Sequence, residues 1–126
     1  VTGGNLSLIY SLLGTKAEPV TRGRILFIEE VGEYLYHLDR MMMSLKLAGK
    51  IRRIACLMVG GLNKMEETKI PWGKAPEEII LDSVSQFGFP VIFGFPAGHI
   101  PDNRAFYIGK EAKITSDGES IIITFI

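Results

Sequence analysis

An α/β domain with a mixed sheet is the fold class this sequence predicts, and three observations predict it. Near-continuous apolar runs, Ile25 to Ile28, 54–59 and 90–93, read as strands buried on both faces. Segments with apolar residues at helical spacing alternate with those runs, the pattern of parallel βαβ units. The last stretch, "KEAKITSDGESIIITFI", reads as an antiparallel β-hairpin turned at Asp117-Gly118.

Each element follows in order. "GGNLSLIYSLLGT" places Leu6, Ile9, Tyr10 and Leu13 at helical spacing, with Asn5 as N-cap and Gly14 as stop. "EPVTRG" is a turn-rich bridge into the first strand, 24–28. A helix over about 34–48 gathers Tyr34, Leu38, Met41, Met42 and Leu45 on one face and ends at Gly49. Within "IRRIACLMVGG" lies a second strand, 54–59, ending at Gly60-Gly61. The segment 61–76 is a long irregular loop, and "PEEIILDSVSQFG" restores helical periodicity with Pro76 and acids in its first turn. "FPVIFGF" is the third strand, and "PAGHIPDNRAFYIG" is a loop that carries His99.

The chain of 126 residues, 47% hydrophobic, is one domain with a real core. Fourteen basic and fourteen acidic residues cancel, so no footprint for nucleic acid or an anionic membrane exists. A single cysteine, Cys56, excludes an intramolecular disulfide and fits a reducing compartment. Its apolar surroundings make it a packed, inert thiol. No apolar stretch reaches the roughly 20 residues of a spanning helix, and no signal peptide is visible. The chain begins without Met, so an upstream part is expected.

Sites in open α/β sheets form beyond the carboxyl ends of the strands. The first strand runs straight into two adjacent acids, Glu29 and Glu30, and the third leads to Gly98-His99. Parallel, adjacent strands would bring an acid and a histidine to one edge. There the carboxylate could orient the imidazole and the imidazole could move protons near neutral pH. Because successive strand residues face opposite sides, both acids cannot serve one site, and the pattern does not say which does. The bland alternative is a helix-capping acid and an exposed loop histidine. His37, with Glu33 four residues before it, reads as solvated helix surface. A metal site built from Glu29, Glu30, His99 and Asp102 lacks any recognised ligand spacing. Met41 to Met43 read as core and helix filler, and Trp72 as a loop anchor, lid or interface aromatic. No nucleophile elbow or phosphate loop is present, so a His–Glu pair here is two-thirds of a triad.

Three ordered segments carry a resemblance: "GGNLSLIYSLLGT", "ILFIEEVGEYLYHLDRMMMSLKLAGKI" and "GFPAGHIPDNRAFYIGKEAKI". Together they resemble the C-terminal domain of the LD-carboxypeptidases, the muramoyl-tetrapeptide carboxypeptidases that include the microcin-immunity type. The resemblance runs from Gly3 to the end. It implies a swivelling β/β/α-type domain covering 1–126, with a serine-bearing, flavodoxin-like N-terminal domain outside this chain. It implies Glu29 and His99 as the chain's share of a Ser–Glu–His triad, with Gly4 and Asn5 as candidate substrate-binding residues. Glu30 stands where the family commonly has Asp, and is expected to serve the loop or a surface. The implied reaction removes terminal D-alanine from cytoplasmic muropeptide tetrapeptides in cell-wall recycling, without cofactor or metal and in a homodimer. The isolated chain, lacking the serine, is expected to be inactive. A concave or apolar docking face is expected around 1–5, 29–33 and 95–104. The competing expectation is a free-standing α/β binding or interaction module.

Overall fold

Alternation along the apolar runs gives the sheet two dry faces. Leu26, Ile28, Leu57 and Val59 enter one buried cluster, while their neighbours Ile25, Phe27, Cys56 and Met58 enter another. All 126 residues are described in the structure, a computed structural model. The elements are β1 (Thr2–Asn5), α1 (Leu6–Ser11), β2 (Ile25–Val31), α2 (Leu35–Leu47), β3 (Cys56–Asn63), α3 (Pro76–Val84), β4 (Val91–Ile92), β5 (Ala112–Ser116) and β6 (Ile121–Phe125).

The first four strands form a parallel sheet in sequence order, β1-β2-β3-β4. Each crossover therefore turns the same way, which places α1, α2 and α3 on one face. Their cluster contains Leu6, Ile9, Leu38, Met41, Leu45, Ile79, Ile80 and Val84. On the other face lies the hairpin β5-β6, whose inward residues Ala112, Ile114, Ile123 and Phe125 pack over Phe27, Met58 and Ile92. The layers are thus β/β/α.

The structure bears out the α/β class, the helices and the terminal hairpin; it extends the first strand from 24–28 to Ile25–Val31, ends the first helix at Ser11, and differs further in its sheet. β1 was not foreseen: four residues with two glycines give no periodic signal. The sheet is parallel throughout rather than mixed, because β5 and β6 pair only with each other and stack on the sheet instead of extending it. The third strand shrinks from 90–93 to Val91–Ile92. The second strand does not end at Gly60-Gly61 but runs on to Asn63. Pairing moves from Ile28 with Val59 to Glu30 with Leu62, so β3 inserts one extra residue at the glycine pair.

α2 opens without a side-chain cap and closes at Gly49, where the Lys50 N–H returns to the Leu45 carbonyl at 2.9 Å. Five α2 side chains (Leu35, Leu38, Met41, Met42 and Leu45) are buried against the sheet. Cys56 lies buried in the hairpin-side cluster, and burial pushes its thiol up to about 11, where it stays protonated and unreactive.

Leu38 is fully buried and Leu47, on the same helix, is 81% exposed. Leu38→Ala is therefore expected to cost about 2–5 kcal/mol of stability, and Leu47→Ala less than about 0.5 kcal/mol. Urea denaturation of the two variants measures the difference.

Candidate active site

The carboxyl end of β2 carries two buried acids, and strand alternation sends them to opposite faces. Glu29 continues the Ile25–Phe27 row towards the hairpin side, and Glu30 continues the Leu26–Ile28 row towards the helices. Both are nearly dry, at 5% and 3% exposed. A dry carboxylate needs donors, and each has found a different set.

Glu29 takes the His99 loop. Its Oε2 accepts from the His99 backbone N–H at 3.2 Å and lies 2.9 Å from His99 Nδ1. An ionised carboxylate only accepts, so Nδ1 carries the proton and Nε2 is the ring nitrogen left to a partner. The imidazole itself is 60% exposed. Hydrogen bonding and charge from Glu29 raise the His99 pKa above its ordinary 6.5; desolvation opposes this and the more distant Glu30 charge adds to it.

Glycines admit the loop. Gly98 sits at φ +111°, and a Cβ there would meet Glu29 Oε2 at 2.8 Å. At Gly60 and Gly61 a Cβ would run into the Ala97 carbonyl and the Ile100 side chain. Freed of that clash, the loop joins the end of β3: Phe95 N–H donates to the Val59 carbonyl and Gly61 N–H to the Ala97 carbonyl, both at 3.0 Å. Within the loop, Asn103 accepts from the Gly98 N–H, and Asp102 is paired with Arg104.

Glu30 does not serve a loop or a surface, as the sequence led us to expect. It is buried behind α1. Its Oε2 accepts from the Ser7 N–H at 2.8 Å; its Oε1 accepts from Asn5 Nδ2 and from the Val31 N–H, each at 3.0 Å. That is a helix N-terminal cap supplied from a neighbouring strand. Asn5 is the N-cap, accepting from Leu8 N–H and Ser7 Oγ while donating to Glu30. Both functional groups of the Asn5 amide are thus engaged in the cap. Asn5 is paired in register with Glu29, and Gly4 with Ile28, so both lie along the same sheet edge as the acid.

His37 does pair with Glu33, at 2.9 Å, but the side chain is only 25% exposed, because Tyr10 packs edge-on against it. Trp72 borders an open groove of about 880 Å³ with Tyr36, Arg40, Met43 and Leu47. None of the exposed large apolar side chains lies in 1–5, 29–33 or 95–104; Phe95 and Ala97 turn inward instead. That edge therefore presents no large exposed apolar side chain. No cluster of three or more His, Cys, Asp or Glu side chains could hold a metal ion. No helix is long and apolar enough to cross a membrane.

Histidine titration of the 126-residue chain by NMR is expected to place His99 above 6.5, and Glu29→Gln to lower it. Gly98→Ala is expected to lower it as well, by forcing the carboxylate off the ring. The sign for stability follows from the raised value: the pair's contribution is full below pH 6.5 and is lost as pH rises through the folded value. Glu30→Ala strands the Ser7 and Asn5 donors and is expected to cost about 1–3 kcal/mol by denaturation.

Known proteins share this arrangement of chain. Residues 1–114 match the family described as LD-carboxypeptidase C-terminal domain. The sequence is similar to the "probable murein peptide carboxypeptidase" of Bacillus subtilis, 35% identical over 98% of this chain and 39% of that protein. The structure is similar to a muramoyltetrapeptide carboxypeptidase from Oxalobacter formigenes, at TM-score 0.86 and 27% identity over 98% of this chain and 43% of that one. It is also similar to an MccF-like protein from Bacillus anthracis, at TM-score 0.73 and 28% identity over 98% of this chain and 38% of that one. The chain spans about two-fifths of the length of these relatives. It belongs to the LD-carboxypeptidase family, and the part of the family it matches is the C-terminal domain.

Proposed function

We propose that this chain supplies the proton-handling half of a serine LD-carboxypeptidase, with Glu29 and His99 as its two contributions to a Ser–Glu–His triad. The observation that carries the reading is the contact between buried Glu29 and exposed His99, with Nδ1 turned to the acid and Nε2 left outward. A serine from an upstream, flavodoxin-like domain would face Nε2. Two concavities of the chain lie away from the pair, one beside Trp72 and one of about 450 Å³ around Val1, Arg24 and Glu111, while the His99 side chain is 60% exposed. His99 thus stands on an open edge, which suits a site walled on its other side by a second domain.

The chemistry follows from that geometry. His99 Nε2 takes the serine proton as the serine oxygen bonds to the carbonyl carbon of an L-centre, giving a tetrahedral oxyanion. The C–N bond to the terminal D-alanine breaks as Nε2–H passes its proton to the leaving amine. Water, deprotonated by the same nitrogen, then attacks the acyl-serine and regenerates the hydroxyl. Glu29 holds the ring in the tautomer that presents Nε2 and stabilises the imidazolium between the two transfers. Donors for the oxyanion would come from the upstream domain. The substrate on this reading is a D-alanine-terminated muropeptide tetrapeptide of cytoplasmic cell-wall recycling, and the assembled enzyme a homodimer.

Turnover of an L,D-tetrapeptide by full-length protein tests the reading. His99→Ala is expected to lower kcat by roughly three or more orders of magnitude, and Glu29→Ala by somewhat less. The 126-residue chain alone is expected to show no cleavage above background. Hydrolysis that survives His99→Ala would remove the triad, and absence of hydrolysis by the wild-type full-length protein would favour a binding module.

A further inference from the structure

His99 has a second side-chain partner besides Glu29, on the neighbouring strand. Asn63 is the last residue of β3, reached only because the strand continues past its glycine bulge. Its side-chain Nδ2 donates to the His99 carbonyl at 3.0 Å. Its Oδ1 accepts from the Lys64 N–H at 2.9 Å, and Lys64 is the one non-glycine residue at positive φ, 51°. Its own carbonyl accepts from the Gly32 N–H at 3.0 Å, at the turn that follows the two acids of β2. In register it stands opposite Val31.

Three separate segments therefore meet at one amide-bearing residue: the turn after β2, the strained start of the 64–75 loop, and the His99 loop. Glu29 grips His99 by its backbone N–H and its ring, from the β2 side. On the other side of the same residue, Asn63 grips the backbone carbonyl from β3. A loop histidine held at N–H, carbonyl and ring has little freedom to swing its imidazole off the acid. Side-chain hydrogen bonds that fix a catalytic group's orientation matter because small misplacements of reacting atoms cost rate steeply.

We propose that Asn63 is a positioning residue for His99, tethering its carbonyl so that the imidazole stays on Glu29 with Nε2 aimed outward. The role rests on the reading of His99 as the proton carrier, and acts through His99 rather than on substrate. The donor is the essential feature, and the Oδ1 contact to Lys64 serves to orient it. The charged groups bearing on His99 are Glu29 and Glu30 on β2; Asp102 and Arg104 on its own loop are paired with each other.

Two variants separate the parts. Asn63→Ala removes both side-chain contacts, whereas Asn63→Asp keeps an acceptor for the Lys64 N–H and replaces the donor with an oxygen facing the His99 carbonyl. In full-length protein labelled at histidine, the His99 resonance is assigned by its loss in His99→Ala. Asn63→Ala is expected to lower the His99 pKa towards 6.5 as the ring leaves the acid. In both variants kcat is expected to fall roughly tenfold to a hundredfold, with KM nearly unchanged. A structural role alone would lower the amount of folded enzyme and leave the His99 titration of the folded fraction where it was. Unchanged His99 titration in Asn63→Ala, or unchanged kcat in Asn63→Asp, would overturn the proposal. Full activity of His99→Ala would instead remove His99 as the proton carrier and, with it, a positioning role for Asn63 in the reaction, whatever the Asn63 variants show.

Discussion

A β-strand turns successive side chains to opposite faces, and the end of β2 uses that constraint to bury two acids side by side without making them neighbours. Glu29 and Glu30 are adjacent in sequence, both dry, and partnered on different faces of the sheet. Had they shared a face, two carboxylates would have repelled each other and one would have been driven to its protonated form. Instead one acid clamps the helix layer to the sheet, and the other holds a loop on the opposite side. Fold and site are joined at a single peptide unit.

Burial of each acid is tolerable only because donors are complete. Glu30 gathers three N–H groups, two of them from the β1–α1 junction, so the short helix α1 is anchored at its N-terminus where the backbone is otherwise unpaired. Glu29 gathers two, both from His99. No buried side-chain nitrogen or oxygen in the chain lacks a partner. The exposed imidazole is therefore held by a buried group, which gives a surface side chain a fixed direction. An exposed salt bridge between two mobile side chains would confer little of that order.

The strongly periodic parts were legible in the sequence. The apolar run before Glu29, the α2 face of Leu38, Met41, Met42 and Leu45, and the Asp117-Gly118 turn each announce their structure through local chemistry. The acid-and-histidine edge was legible too, because parallel strands must carry their sites at the same end. What the residue pattern alone did not say was which acid turns to His99; the resemblance named Glu29, and Glu29 is the acid in contact with it. Alternation says the two differ, but only the side on which the helices pack decides between them, and that is a property of the whole topology. β1 escaped because Gly3 and Gly4 carry no pattern. Asn63 escaped because a glycine pair reads as the end of a strand, when here it is a bulge that lets the His99 loop approach and β3 continue beyond it.

On the proposed reading an open edge with an oriented imidazole is half of a catalytic arrangement, and the reading stands on what occupies the other half. The most direct measurement is a crystal structure of the full-length protein, read at His99 Nε2. The account predicts a serine Oγ from the upstream domain within hydrogen-bond reach of that nitrogen, with backbone N–H groups beside it to receive an oxyanion and Nδ1 still on Glu29. A His99 ring that faces solvent or a surface with no serine in reach, or that has left Glu29 on domain assembly, would contradict it.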